Sequence, residues 1–188
     1  IDISFKALKG KKLHHNKSYT VFIGAKKLEA KVLLFDSTQE LESGFATIKA
    51  DEKLFTIFAE KLIIRQGNQT ISGGKVLNPI IDPMKKNQKR QLLEHLENNN
   101  FKDAYYELLQ AHKKGLGIIS SAQRFALSHT EAIEFAKNLE NVFIDEKELV
   151  IYPIETKELI VDSIREIYTK NNYALLSNAS IALRLKWA

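Results

Sequence analysis

The segment Asn78-Pro79-Ile80-Ile81-Asp82-Pro83 constrains this chain more than any other. Two prolines four residues apart fix φ, remove two backbone donors and push the residue before each of them out of the helical region. Neither a helix nor a central strand continues through such a segment. The apolar pattern changes period across it. Before it, apolar and polar residues alternate in short runs, as in strands; after it, apolar residues recur three and four apart, as on one face of a helix. The chain of 188 residues therefore reads as β first and α second, with the boundary at residue 82 and room for a core in each half.

The β half carries four alternating runs, Ile3-Ser4-Phe5-Lys6-Ala7, Tyr19-Thr20-Val21-Phe22-Ile23, Glu29-Ala30-Lys31-Val32-Leu33-Leu34-Phe35 and Phe45-Ala46-Thr47-Ile48-Lys49. The second and third are separated by the turn-like Gly24-Ala25-Lys26-Lys27. Residues 61–79 supply a fifth and a sixth strand. Leu62-Ile63-Ile64 runs into Arg65-Gln66-Gly67-Asn68, and Thr70-Ile71-Ser72 leads through Gly73-Gly74 to Val76-Leu77. A Gly/Asn turn joins the two, and the glycine pair marks a backbone that bends or passes close to a neighbouring strand. Six short strands with turns every 8 to 15 residues fit an all-β barrel or sandwich. Leu54-Phe55-Thr56-Ile57-Phe58 reads as a short connecting segment.

In the α half, Leu92, Leu93 and Leu96 share a face, and Asn98-Asn99-Asn100 ends that helix. Phe101, Ala104, Tyr105, Leu108, Leu109 and His112 form a second stripe, stopped by Gly115. Gly117-Ile118-Ile119-Ser120 reads as a short strand. Ser121 is placed to cap a helix over residues 122–126, and Ser128 another over residues 129–139, with Glu131 completing a capping box. Val142-Phe143-Ile144 and Leu149-Val150-Ile151 flank a polar turn as a hairpin. Helix, strand, helix, helix, hairpin is the order of a winged helix-turn-helix. An echo follows at an offset of 57 residues: Ile118-Ile119-Ser120-Ser121-Ala122-Gln123 against Leu175-Leu176-Ser177-Asn178-Ala179-Ser180. Both follow an amphipathic helix, the later one carrying Leu159, Ile160, Ile164, Ile167 and Tyr168. A second unit is predicted to begin at residue 154 and to break off within a helix near Trp187, before a recognition helix or wing.

Charge is distributed unevenly. Of a net +5, residues 1–31 carry +6 and residues 83–90 carry +4 through Lys85, Lys86, Lys89 and Arg90, leaving an acidic remainder. Basic patches on an otherwise acidic body suit a phosphate backbone; solvated surface lysines are the plainer alternative. A basic run at a helix N-terminus opposes the macrodipole, which favours a functional reason for it. Without cysteine, disulfide frameworks and thiol catalysis are excluded. No apolar run approaches the length of a membrane span, and the first segment lacks signal-peptide architecture.

No residue pattern in the sequence marks a catalytic constellation. Ser72-Gly73-Gly74-Lys75 fails as a phosphate-binding loop, because Gln69 stands where the first glycine belongs and Val76 follows the lysine. His14 and His15 alternate to opposite faces of a strand, and His95, His112 and His129 lie on separate helices, so no metal site is predicted. Arg65-Gln66-Gly67 is the segment with binding potential. The Arg65 fork at a turn can clamp a phosphate or a carboxylate, or else pair with a neighbour inside the barrel corner. Gln66 offers the donor and acceptor that reading an RNA minor groove uses.

These residues also carry a resemblance. The hydrophobic strand ending in Arg65-Gln66-Gly67, followed by Thr70-Ile71-Ser72-Gly73-Gly74, resembles the last hairpin of the third domain of the elongation factor Tu family. The ending Gly73-Gly74-Lys75-Val76-Leu77-Asn78-Pro79 is similar to the selenocysteine-specific branch of that superfamily. The resemblance implies a multi-domain fold, β then α. An elongation-factor-Tu-like third-domain β-barrel would occupy residues 1–82, a winged-helix domain residues 83–153, and the start of a second, truncated winged-helix unit residues 154–188. It implies that Arg65, Gln66 and Gly67, with His14, Lys26 and Lys27, contact tRNA, and that Lys85, Lys86, Lys89 and Arg90 are weaker RNA-binding candidates. Gln66 stands where relatives often have an acid.

The resemblance further implies a cytoplasmic, monomeric part of a factor that delivers selenocysteinyl-tRNA to the ribosome at recoded UGA codons. GTP and magnesium would belong to an upstream GTPase domain, and the selenocysteine insertion hairpin of the mRNA to later winged helices. The part in hand would hold no catalytic residue and no cofactor. The alternative is a DNA-binding winged-helix regulator with a β sensor domain. It predicts a basic recognition helix, whereas residues 129–139 hold Lys137 against Glu131 and Glu134.

Overall fold

A computed structural model describes residues 1–36 and 38–184. The predicted end near Trp187 lies outside the described residues. Among the described residues, eight strands occupy the first half: β1 (Asp2–Ala7), β2 (Leu13–His14), β3 (Lys17–Ile23), β4 (Lys26–Leu34), β5 (Glu40–Leu41), β6 (Ser43–Lys49), β7 (Lys61–Gln66) and β8 (Gln69–Asn78). Six of them close into an antiparallel barrel in the order β1-β6-β4-β3-β7-β8, with β8 returning to β1, while β2 and β5 form a small separate ladder. Closure removes the unpaired edges that an open sheet would expose. The predicted strands are all present, and residues 54–58 form the connecting segment that the sequence predicts.

Alternation fills the interior. In β4, Leu28, Ala30, Val32 and Leu34 point inward while Lys27, Glu29 and Lys31 face solvent; Tyr19, Val21 and Ile23 of β3 do the same. Together with Ile3, Ile48, Leu62, Ile64 and Val76 they make one continuous core, each fully buried aliphatic contributing about 1.5–3 kcal/mol. Of the glycine pair, Gly74 carries the constraint. A Cβ there would lie 2.4 Å from the Ser4 carbonyl oxygen across the β1–β8 seam, whereas at Gly73 the nearest atom is 4.0 Å away. Near its start β8 gains a residue: Ile64 pairs with Ser72 and Arg65 with Thr70, so Ile71 is extra. The bulge sends both Ile71 and Ser72 inward and re-aims the turn beyond them.

The second half is built from α1 (Lys86–Glu97), α2 (Phe101–Ala111), β9 (Leu116–Gly117), α3 (Ser120–Phe125), α4 (His129–Lys137), β10 (Val142–Asp145), β11 (Val150–Pro153), α5 (Ile154–Lys170) and α6 (Asn178–Arg184). β9 joins the β10–β11 hairpin as a three-stranded sheet, giving the winged-helix order that the pattern predicts. Ser128 caps α4 in a reciprocal capping box with Glu131. Ser121 does not cap α3. It is buried, and its hydroxyl meets the Tyr105 hydroxyl at 3.1 Å. α3 begins two residues before the predicted start, at Ser120, without a side-chain cap. The short strand likewise sits at Leu116 and Gly117 rather than 117–120, because Val150 and Ile151 offer partners only there.

The echo at Leu175-Leu176 forms no strand among the described residues, and Leu175 is 98% exposed. A two-residue strand persists only beside a partner, as β9 does beside β11. α5 and α6 thus follow one another through a loop, where α2 and α3 are joined through β9. Thr156 is the one buried side chain of α5.

The two halves share a core. Phe35, Phe58 and Leu77, on the outside of the barrel, pack with Leu92, Leu93, Leu96, Tyr105 and Phe125 of the helices. Phe58 meets Phe101 edge to face, with centroids 5.2 Å apart. α3 is strapped to the connecting segment twice: the Phe58 N–H donates to the Gln123 carbonyl, and Gln123 Nε2 donates to the Thr56 carbonyl.

Candidate nucleic-acid interface

Strand registers decide which residues share an end of the barrel. Asp2 lies opposite Thr47 and Asn78, at the end from which the chain leaves for the helices, and Ala7 lies opposite Ser72 near the other. At that far end the β7–β8 turn, the loop after β1 and the β2–β5 ladder surround an open basin of about 700 Å³. Lys11, Lys12, His14, Glu40, Gln66 and Gln69 line it. The β7–β8 hairpin has a two-residue loop, Gly67-Asn68, and Gly67 sits at φ 57°, which glycine adopts without steric cost. Gln66 and Gln69 are paired directly across the loop and exposed, so their side chains leave the hairpin on one face.

Arg65 holds this turn from beneath. Its Nη2 donates to the Asn68 carbonyl at 2.7 Å, and its guanidinium lies 5.7 Å from the centre of the Phe22 ring. The Arg65 fork thus closes on its own turn, with no acid as partner among the described residues. Around the basin, Lys17 Nζ donates to Gln66 Oε1 at 3.2 Å and Lys11 Nζ to Gln69 Oε1 at 3.0 Å. Lys12 Nζ donates to Glu40 Oε1 at 2.6 Å, and His14 Nδ1 stands 3.5 Å from Glu40 Oε2. That hydrogen bond and the charge behind it lower the Glu40 carboxyl below its ordinary range and raise Lys12 above its own. His15 turns away: its Nδ1 accepts from the Leu34 N–H at 3.1 Å.

The sequence candidates therefore separate. His14, Gln66 and Gly67 gather at the basin, with Arg65 under them. Lys26 and Lys27 lie at the opposite end, beside the Gly24-Ala25 turn. Lys26 there donates to the Lys53 carbonyl and stands 3.9 Å from Glu52. Lys11, Lys12 and Lys17 reach the basin although only the general excess of lysine in residues 1–31 pointed to them. No periodicity relates the loop after β1 to a turn some 55 residues later.

The basic run after the break lies along the first turn of α1. Lys85 and Lys86 are exposed. Lys89 Nζ stands 2.7 Å from the buried Asp2 carboxylate, Arg90 pairs with Asp36, and both cations flank the Phe35 ring. Lys89 and Arg90 thus bind α1 to the barrel wall, which gives a basic helix start a structural use.

Beside them lies a cluster that sequence reasoning missed. Asp82, between the two prolines, is buried and receives a bidentate fork from Arg124 of α3, at 2.7 and 2.8 Å. His112 Nε2 stands 2.7 Å from its Oδ1, and Asn78 Nδ2 donates to its Oδ2 at 2.9 Å. Asn78 Nδ2 also reaches Asp2 at 3.5 Å, and Thr47 donates to Asp2 at 2.6 Å. Burial alone would raise the Asp82 carboxyl; the hydrogen bonds and charge of Arg124, with His112 and Asn78, outweigh it and hold the group below its ordinary value. Such a closed network fixes the angle between barrel and helices. Its one signal in the sequence is an acid placed inside the proline-bounded break.

On the winged-helix side, Lys137 of α4 stands 3.7 Å from Glu146 in the wing, and Glu131 is committed to the capping box. Among the described residues no group of His, Asp and Glu could hold a metal ion, and no helix is long and apolar enough to cross a membrane.

Residues 2–82 match a family model described as the β-barrel domain of the selenocysteine-specific elongation factor. The crystal structure of a bacterial selenocysteine-specific elongation factor, EF-Sec, superposes with a TM-score of 0.60 at 18% identity. The match covers 98% of this chain and 32% of that one, so the likeness in fold runs on through the helices, and the chain spans about a third of that structure's length. No curated protein matches the chain. In sequence, residues 2–82 are thus similar to the β-barrel domain of the selenocysteine-specific elongation factor, and over the whole chain the likeness is one of fold.

Proposed function

We propose that the chain is the tRNA-contacting barrel and adjoining helical spacer of a translation factor that delivers selenocysteinyl-tRNA to the ribosome at recoded UGA codons. GTP with magnesium and the mRNA insertion hairpin would be bound by other domains of the same factor, and no catalysis is assigned to the residues in hand. One observation carries the tRNA reading. The barrel end farthest from the helices is an open basin whose wall carries lysines and glutamine amides beside His14 and the Lys12-paired Glu40; lysine and amide are donor types that A-form RNA meets through its phosphates and its shallow minor groove. At the other end, the Asp82 network holds the helical unit at a fixed angle, as a spacer between a tRNA and a distant mRNA element would require.

Titration of the chain with fluorescently labelled selenocysteine tRNA at several salt concentrations tests the assignment. Affinity falls with rising salt if lysines meet phosphates. Absence of binding even at low salt would remove the barrel as a tRNA contact. In the complete factor, Gln66→Ala weakens tRNA binding severalfold; an unchanged affinity would remove Gln66 as a contact.

A further inference from the structure

Like charges set directly opposite each other on neighbouring strands repel and weaken the sheet. Among the described residues the barrel holds two such pairs. Lys61 and Lys75 are register partners on β7 and β8, and Lys75 Nζ lies 3.3 Å from Glu97 at the end of α1, so the fold itself relieves them. Lys31 and Lys49 are register partners on β4 and β6, and they are left unrelieved. Both are exposed, and neither makes an ion pair or a side-chain hydrogen bond among the described residues. Glu29, on the same face of β4, is engaged instead by the Thr20 hydroxyl at 2.5 Å. On the other side of Lys31 stands its β3 partner Ser18, exposed and likewise without a side-chain hydrogen bond among the described residues. Ser18, Lys31 and Lys49 thus form one row across three adjacent strands, which lie about 4.8 Å apart. None of the three lines the basin.

We infer that Lys31 and Lys49 clamp one phosphodiester of a bound RNA, with the Ser18 hydroxyl as a third donor. The inference rests on the RNA-contact reading above and goes beyond it by assigning a separate contact on the wall formed by β3, β4 and β6. A phosphate set between two ammonium groups replaces their repulsion with two charge-assisted hydrogen bonds. Opposed Cβ atoms stand about 5 Å apart, close enough for two lysine stems to converge on one phosphate. The row offers charge and donors without an apolar side chain, whereas the core of a protein interface is built on apolar and aromatic residues; its chemistry therefore favours a phosphate over an acidic protein surface. Such a contact reads no sequence. It adds affinity and fixes the register of the RNA on the barrel.

Neutral variants of the full 188-residue chain test the clamp, because it gives stability and binding opposite signs. Lys31→Gln and Lys49→Gln each raise the urea midpoint at low salt by relieving the repulsion, and the gain disappears in high salt. Each weakens binding of fluorescently labelled selenocysteine tRNA about two- to fivefold and reduces the slope of log affinity against log salt by about one. The double variant loses hardly more than either single one, since both cations serve one phosphate. Lys61→Gln, whose neighbour is already engaged by Glu97, moves neither the midpoint nor the affinity. Unchanged tRNA affinity in both single variants, the result expected if the wall seats an acidic protein, overturns the inference, while Lys12→Ala still weakens binding through the basin. Losses that multiply in the double variant mean two separate contacts and overturn the shared clamp. If the native chain binds no tRNA at low salt, the RNA-contact reading itself fails and this inference with it.

Discussion

Arg124 and Arg65 are both arginines on the edge of an apolar core, and they behave oppositely. Arg124 is 4% exposed. It spends its fork on Asp82 and closes a network that runs from Asp2 in the barrel to His112 in the helices. Arg65 holds the carbonyl of its own turn and lifts Gln66, Gly67 and Asn68 into solvent. The first region is closed, each charge meeting an opposite charge out of water. The second is open, with amides and lysines half engaged and still able to meet a ligand. Burial separates them, because an ion pair out of water cannot lose one partner without leaving a stranded charge, whereas an exposed one is re-solvated at little cost.

Breaking the junction is expected to have the largest effect. Asp82→Ala strands Arg124 and lowers the free energy of unfolding by about 3–5 kcal/mol, read from urea denaturation. The paired change Asp82→Leu with Arg124→Met restores much of it. At the basin, Glu40→Ala leaves the urea midpoint unchanged. Equal losses at the two places would erase the contrast.

Next comes the wall between the regions. Gly74→Val costs about 1–3 kcal/mol by overpacking and weakens the β1–β8 seam, visible as faster amide exchange at Ser4 and Phe5, while Gly73→Ala has a much smaller effect. The 2.4 Å approach at one glycine and the open space at the other predict that asymmetry.

Acid should also distinguish the junction. The Asp82 carboxyl lies below its ordinary value of 3.8 in the folded chain, so below that value the unfolded state binds more protons than the folded one. The stabilisation it gives is complete above the unfolded pKa and is lost as pH falls through the folded one. Urea midpoints measured between pH 5 and pH 2 should fall with pH, and Asp82→Asn, already weakened at neutral pH, should lack that part of the slope. An identical slope in the variant would show that Asp82 is not the titrating group.

The smallest effect belongs to the basin. Lys12→Ala weakens RNA binding about two- to fivefold and reduces the slope of log affinity against log salt by about one. Lys26→Ala, at the opposite end beside Glu52, changes neither. Equal effects would mean that the whole basic surface contributes and that the basin is not singled out.

Much of the fold was legible because it follows local period. Alternation of two marks the strands, the Gly67-Asn68 turn marks the hairpin, and Ser128 with Glu131 marks α4. The candidate site was legible only where it coincides with a turn. Lys11 and Lys17 come to Gln69 and Gln66 through barrel closure across 58 and 49 residues, and Lys26 and Lys27 are carried to the far end by the length of β3. Ser121, a cap by its position, is drawn inward by Tyr105, because a core hydroxyl needs a partner more than a short helix needs a cap.

The sequence by itself determined where the chain is strand, where it is helix and where neither can continue, since proline, glycine and side-chain period act on the backbone within a few residues. Only the tertiary structure decided which charges are joints and which are available to a ligand. Lys89 with Asp2 and Arg124 with Asp82 are partners 87 and 42 residues apart, and what makes them structural is removal from water, a property of the packed molecule that no stretch of the chain carries alone.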